Sequence, residues 1–186
     1  LSESLCIEHN SLESVKLTKN KYLMRSELKK SGLKSPWFKR FSVHETPKDI
    51  FDELSFPCVL KPTFLSASQG VLRVNSFEEF GKGCEMLSDL LAEEKVKKRG
   101  GDQANWILVE EYIPGKEVSI EGIVNDGKLK DLAIFDKPEP LEGPTFPETI
   151  FITPALLSEQ LQISLLETAQ TALEALGIIK GPVHVE

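Results

Sequence analysis

Apolar positions recur along the chain at two spacings, and the switches between them outline the elements. At helical spacing, Leu23, Met24 and Leu28 share a face; Thr18 as N-cap and Gly32 as stop predict a helix to about Ser31. A strand is expected within 33–43, after Pro36, and a short helix from Thr46-Pro47 to Leu54. Phe56 to Leu60 reads as a buried strand, and Val71 to Val74 as its return. Ser76 and Glu79 form a capping box for a helix with Phe80, Cys84, Leu87 and Leu91 on one face. Polar residues 93–105 then predict a loop, and the basic run Lys95 to Arg99 within it predicts a solvated surface.

From Trp106 onward the period is two. Trp106 to Val109 is one strand. Val118, Ile120 and Val124 share a face of the next, and Asn125-Asp126-Gly127 turns the chain back into 129–135. Residues 136–148 are rich in proline and acid, and Thr149 to Thr153 predicts a short strand. Ser158 caps a helix to Leu176 that buries Leu161, Leu165, Ala169, Leu173 and Leu176 and ends at Gly177. Gly181 to Glu186 begins another strand. The pattern predicts two α+β units, over 18–109 and 110–186, preceded by a tail over 1–17. The missing initiator methionine and the stop at Glu186 read as marks of a fragment, truncated at both ends.

The densest chemistry lies at Val59 to Val71. A strand runs into Lys61, Pro62 ends the ladder, and the small residues Ser66, Ala67, Ser68, Gln69 and Gly70 form a loop. A lysine at a buried strand end is costly unless an anion meets it, and such a loop leaves backbone N–H groups to surround one. The order predicts a phosphate cradle, though a plain strand-end lysine before a flexible hairpin has the same pattern. It is not a Walker A loop, whose lysine follows the glycine-rich segment and opens a helix.

Composition narrows the partners. The 186 residues carry 22 Lys and Arg against 29 Asp and Glu, a net charge of −7. A broad nucleic-acid surface is not expected from that balance. Any anion must be met by a few placed cations. The three cysteines, Cys6, Cys58 and Cys84, are far apart in sequence and suggest a reducing, cytoplasmic setting. No apolar run approaches the roughly 18–20 residues of a membrane span. His9 and His44 lack sequence partners and are expected at the surface; Trp37 and Trp106 are expected in the core. A homo-oligomer is compatible with the sequence.

Four motifs stand in order: Asn20-Lys21; Lys61 with its loop; Glu110-Glu111-Tyr112-Ile113-Pro114-Gly115-Lys116-Glu117; and Gly181-Pro182-Val183-His184-Val185-Glu186. Together they resemble the ATP-grasp superfamily from about Ser11 to Glu186. The stretch from Asp136 to Pro154 is similar to the branch containing L-amino-acid ligases and carnosine synthase. The resemblance implies an α+β ATP-grasp fold in which two subdomains clasp ATP. It implies that Lys21 and Lys61 hold phosphate oxygens, with backbone N–H groups of Ser66 to Gly70 over the β- and γ-phosphates. Adenine would meet an acceptor from Glu110 or the Glu111 carbonyl and a donor from the Ile113 N–H; Glu117 would accept the ribose hydroxyls. Glu186 would be the first carboxylate for Mg2+, the family's other ligands lying further downstream. Lys137 would reach the γ-phosphate. His184 would contact the transferred phosphate, or serve as a buried structural histidine.

The implied activity is an ATP-dependent carboxylate–amine ligase working through an acyl-phosphate on amino-acid or dipeptide-type substrates, the 186 residues alone being inactive. A carboxylase-type enzyme using bicarbonate and a non-catalytic nucleotide-binding module are the alternatives.

Overall fold

The computed structural model describes residues 3–5, 7–44, 48–139, 142–146 and 150–186. The expected N-cap Thr46-Pro47, Cys6 and the start of the 149–153 strand lie outside these residues. Two antiparallel sheets form the frame. The first contains β1 (Phe38–Ser42), β2 (Cys58–Pro62), β3 (Leu72–Val74) and β4 (Trp106–Glu111) in the order β1-β4-β2-β3. The second contains β5 (Glu117–Asn125), β6 (Lys128–Lys137) and β7 (Lys180–Val185) in the order β6-β5-β7.

Side-chain alternation gives each sheet an apolar and a polar face. In the first sheet, Cys58, Leu60, Val74, Ile107 and Val109 pack on Phe80, Leu87 and Leu91 of α4 (Phe77–Ala92). The expected helix face is therefore the buried one. The opposite face carries Lys61, Arg73 and Glu110, the last two both registered on Val59. In the second sheet, Ile120, Ile134 and Val185 pack toward Ala169 and Leu165 of α6 (Glu159–Ala175). Glu117, Ser119, Phe135, Lys137, His184 and Glu186 alternate onto the other side. The Asp126-Gly127 turn has φ of 50° and 75°, the left-handed pair that an Asn-Asp-Gly hairpin requires.

Five differences from the sequence expectation have physical reasons. First, the helix expected from Thr18 is two helices, α1 (Leu12–Lys19) and α2 (Lys21–Lys30). Thr18 lies inside α1, its hydroxyl donating back to the Ser14 carbonyl, and Asn20 is the cap. Second, the expected tail is in part this helix α1, and Leu17 packs with Met24, Leu28, Leu173 and Leu176. Third, residues 93–105 are not a loop: α5 (Glu94–Gly100) and a 3-10 turn over Gly101–Asn105 occupy them. Lys, Arg and Glu are good helix formers, and Val96 packs on the first core. Fourth, the first sheet continues through Glu111, so the link between the sheets is 112–116 rather than a boundary after Val109. Fifth, within 150–153 the strand is reduced to a single bridge, Asp136 to Ile152. The short helix before Leu54 is α3 (Lys48–Phe51). Among the described residues no helix is long and apolar enough to cross a membrane.

Helix α2 is the strut between the units. Its apolar side joins the α6 cluster, while the Tyr22 ring packs edge-on to Phe38 of β1 at 5.8 Å. Its entry is fixed by Asn20, whose Oδ1 accepts from the N–H groups of Tyr22 (3.0 Å) and Leu23 (3.1 Å) and whose Nδ2 donates to Gln103. The Lys21 N–H donates to the Thr63 carbonyl at 2.7 Å. Asn20→Ala should therefore cost about 1–2 kcal/mol of stability and Thr18→Ala less than about 0.5 kcal/mol. Urea unfolding of the two variants checks this; equal losses would mean that Asn20 is not the cap.

Candidate functional site

The polar face of the first sheet gathers charge around one carboxylate. Glu110 is 4% exposed. Its oxygens accept from Arg25 Nε at 3.0 Å and Nη2 at 3.3 Å, and from Lys61 Nζ. Lys21, one helical turn before Arg25, feels both Lys61 and Glu110 and donates through Nζ to the Leu65 carbonyl. Burial, then the charge of Lys61, pull Lys21 down to about 8 against the attraction of Glu110. For Glu110 burial works upward, but Lys61 and Arg25 outweigh it and hold the carboxyl below its ordinary range. Within this group three cations face one carboxylate, so two positive charges remain uncompensated when Lys21 is protonated.

That excess stands at the root of the 66–70 loop. Ala67 and Ser68 both have φ of 53°, a left-handed pair that costs about 1–3 kcal/mol per residue and persists only under constraint. Gly70, at φ 69°, packs so closely that a Cβ there would lie 2.8 Å from Leu90 Cδ2. Ser66, Ala67 and Gln69 are exposed. The loop is held at both ends and open at its tip.

The polar face of the second sheet carries a second group. Lys137, 9% exposed, donates to Glu117 and to Glu186 Oε1 (2.6 Å). Burial acts to lower Lys137, but its two carboxylate partners raise it overall. Burial acts to raise Glu186, and Lys137 with His184 lowers it overall, so the carboxylate stays ionised. His184 faces the same side as Glu186, as the alternation predicts. Its Nδ1 lies 2.6 Å from Glu121 Oε1 and its Nε2 3.6 Å from Glu186 Oε1. At 44% side-chain exposure it is not a buried structural residue. The Phe151 ring stands beside His184 and under Lys137.

Between the groups runs the link. Glu111 donates its N–H to the Trp37 carbonyl and Tyr112 to the Pro57 carbonyl. The Ile113 N–H reaches no acceptor among the described residues, and its side chain is 60% exposed. His9 and His44 are at the surface. Trp37 packs on the first core, while Trp106 is half-buried under the Arg40 guanidinium. Of the expected residues, Lys21, Lys61 and Glu110 come together, as do Glu117, Lys137, His184 and Glu186. Sequence reasoning missed Arg25 and Glu121. Arg25 sits one turn after Lys21 and Glu121 four residues after Glu117, but each reads in sequence as an ordinary solvated charge. Among the described residues no group of three or more His, Cys, Asp or Glu side chains is arranged to hold a metal ion.

The sequence pattern of the ATP-grasp domain matches residues 54–186. Alanine–anticapsin ligase of Bacillus subtilis strain 168 is 31% identical over 99% of this chain and 41% of its own length. Carnosine synthase 1 of Gallus gallus is 30% identical over 70% of this chain and 14% of its own. The crystal structure of an L-amino acid ligase from Bacillus licheniformis superposes with a TM-score of 0.84 at 29% identity, covering 98% of this chain and 42% of that one. The chain thus spans about two fifths of the length of the alanine–anticapsin ligase and the L-amino acid ligase. It belongs to the ATP-grasp superfamily, its α+β fold is the ATP-grasp fold, and it is similar to the L-amino-acid ligase and carnosine synthase members.

The Glu110 group sets an acid limit. A carboxyl held below its unfolded value of about 4.3 contributes its full stabilisation above that pH and loses it as pH falls toward the folded value. Glu110→Gln should destabilise the protein by about 3–5 kcal/mol at pH 7, because the cations lose their counter-charge. It should also flatten the fall in stability below about pH 4.3. Urea unfolding from pH 3 to 7 tests both; an unchanged slope would show that Glu110 is not the linked group.

Proposed function

We propose that the chain binds ATP between its two sheets, as the nucleotide site of an ATP-dependent carboxylate–amine ligase acting on amino-acid or dipeptide-type substrates. The observation that carries this reading is the uncompensated charge of the Lys21–Arg25–Lys61–Glu110 group at the root of the 66–70 loop. ATP brings about four negative charges, and charge-assisted contacts from two directions suit its phosphates. Lys21 arrives from a helix and Lys61 from a strand, while the N–H groups of Ser66 to Gly70 close over the β- and γ-phosphates.

The Glu110 side chain is engaged with Lys61 and Arg25, so the adenine amino group is left to the Glu111 carbonyl. The free Ile113 N–H suits a ring nitrogen. Glu117 accepts the ribose hydroxyls by giving up Lys137. Glu186, kept ionised, is the candidate Mg2+ ligand; magnesium usually takes one or two carboxylates with substrate phosphates, so a single carboxylate here fits that use. When bound, the ion supplies charge neutralisation at the phosphates.

The reaction in this reading has two steps. A substrate carboxylate oxygen attacks the γ-phosphorus and ADP leaves, giving an acyl-phosphate. The amine nitrogen then attacks the acyl carbon, phosphate leaves, and the amine releases a proton. The chain's contribution is positioning and electrostatics. Lys137, relieved of Glu117, turns its charge toward the γ-phosphoryl group. His184, tied to Glu121, offers its outer edge to the transferred phosphate. The setting is proposed to be cytoplasmic: Cys58 and Cys84 are free thiols, which suits a reducing compartment.

Phosphate release from ATP and magnesium by the full-length protein, screened over pairs of amino acids, tests the function. Amine-dependent release with a product of the joined mass is expected. Release that requires bicarbonate, or none with any pair, would overturn the ligase reading. Lys61→Ala should weaken ATP binding about tenfold or more, and Lys116→Ala, half-exposed beside Asp136, less than about fivefold. Binding should also restore the proton of Lys21, whose value of about 8 leaves it half-protonated at pH 8. Titration calorimetry at pH 8 in buffers of different ionisation heat should show proton uptake that Lys21→Met abolishes. Uptake unaltered by that substitution would mean that Lys21 does not meet the phosphates.

A further inference from the structure

Arg73 joins three chain segments that are far apart in sequence. It lies on β3, the edge strand of the first sheet, and faces the same side as Glu110 through their shared neighbour Val59. Its guanidinium stands 4.3 Å from the centre of the Tyr112 ring, in the link between the sheets. In its own plane it donates to the Glu142 carbonyl at 2.8 Å and to Asn75 Oδ1 at 3.2 Å. Its main-chain N–H donates to the Pro144 carbonyl at 2.9 Å. Leu72 and Thr145 add an antiparallel bridge. Gly143, at φ 82°, approaches so closely that a Cβ there would lie 2.8 Å from Arg73 Cβ. Residues 142–146 follow β6 of the second sheet, so this strap returns to cover the open edge of the first.

We infer that Arg73 is a positioning residue that latches the strap 142–146 to the link at Tyr112 and so sets the adenine contacts; the inference rests on the nucleotide site proposed above. Tyr112 lies between the Glu111 carbonyl and the Ile113 N–H, so a tilt of its ring displaces both. Only a planar cation can stack on a ring and donate in its own plane at once, which lysine cannot do. Two directions of its fork are spent on Glu142 and Asn75, which ties Arg73 to the strap. It acts on the base end of the nucleotide and leaves the phosphate end to Lys21 and Lys61.

The test compares ATP with inorganic triphosphate, which keeps the phosphate contacts and lacks the base. Arg73→Ala and Arg73→Lys should each weaken ATP about three- to tenfold and triphosphate less than twofold, with Tyr112→Leu behaving alike. A loss shared equally by both ligands, or an Arg73→Lys protein as tight for ATP as the parent, would overturn the latch. Amide hydrogen exchange at position 73, measured without nucleotide, should quicken in Arg73→Ala as the bond to Pro144 opens. Unchanged exchange there overturns the latch even in a protein that binds no ATP, whereas absent ATP binding with quickened exchange counts only against the nucleotide site.

Discussion

The buried carboxylate of Glu110 is the constraint from which the rest of the first unit follows. It sits on β4, which pairs with β1 on one side and β2 on the other, so its backbone cannot shift. Arg25 and Lys61 approach it from a helix and from the neighbouring strand. Burying this many charges is expensive in a low-dielectric interior, and the attraction within a pair rarely does more than offset it. A group chosen for stability alone would balance its charges. This one leaves two cations in excess, one of them depressed to about 8 by burial and by its neighbour. An anion of high charge arriving there relieves the repulsion, and the stabilisation withheld from the free protein appears as affinity.

The same constraint explains why the helix α2 runs where it does. Arg25 reaches Glu110 only if the helix crosses the polar face of the first sheet, and the cap at Asn20 sets that entry through Gln103 and Thr63. Once there, the helix presents Met24 and Leu28 to α6, and the two units acquire a shared apolar seam. Electrostatics on one side of a single helix and packing on the other thus fix the relation of the sheets. The strap 142–146 ties the sheets together a second time, at the β3 edge.

Much of this was legible in the residues. Periods of two and of 3.6 mark β5, β6, α4 and α6 because each has one dry face and one wet one. Lys61 stands at a buried strand end, where a charge needs a reason, while Lys21, Glu117, Lys137, His184 and Glu186 are singled out by the family resemblance. Arg25 and Arg73 were not legible, since a basic residue in a helix or on an edge strand is ordinary and only tertiary contact distinguishes it. The stretch 93–105 is helical where its polarity predicts a loop, because Lys, Arg and Glu favour a helix wherever one apolar residue such as Val96 can anchor it. Thr18 and Asn20 are both good caps, and two residues decide which starts the helix. The choice fell to Asn20 because its amide also reaches Gln103, a contact 83 positions away that no local rule contains.

The two charged groups differ in how they prepare for a ligand. Around Glu110 the cations exceed the carboxylates, so in the proposed site a nucleotide would add contacts without breaking any. Around Lys137 the balance is reversed: Glu117 and Glu186 both hold the one ammonium, and His184 leans on Glu121 and Glu186. If Glu117 takes the ribose and Glu186 a cation, each must exchange its lysine for the newcomer, and Lys137 is set free at the moment those ligands arrive. The phosphate end then supplies most of the affinity, and the ribose and metal end contributes mainly by moving one charge. That division places the mobile positive charge on the second sheet, opposite the fixed one on the first. A γ-phosphoryl group lying between them, as proposed, would be met on one side by cations already in place and on the other by a cation that its own binding releases.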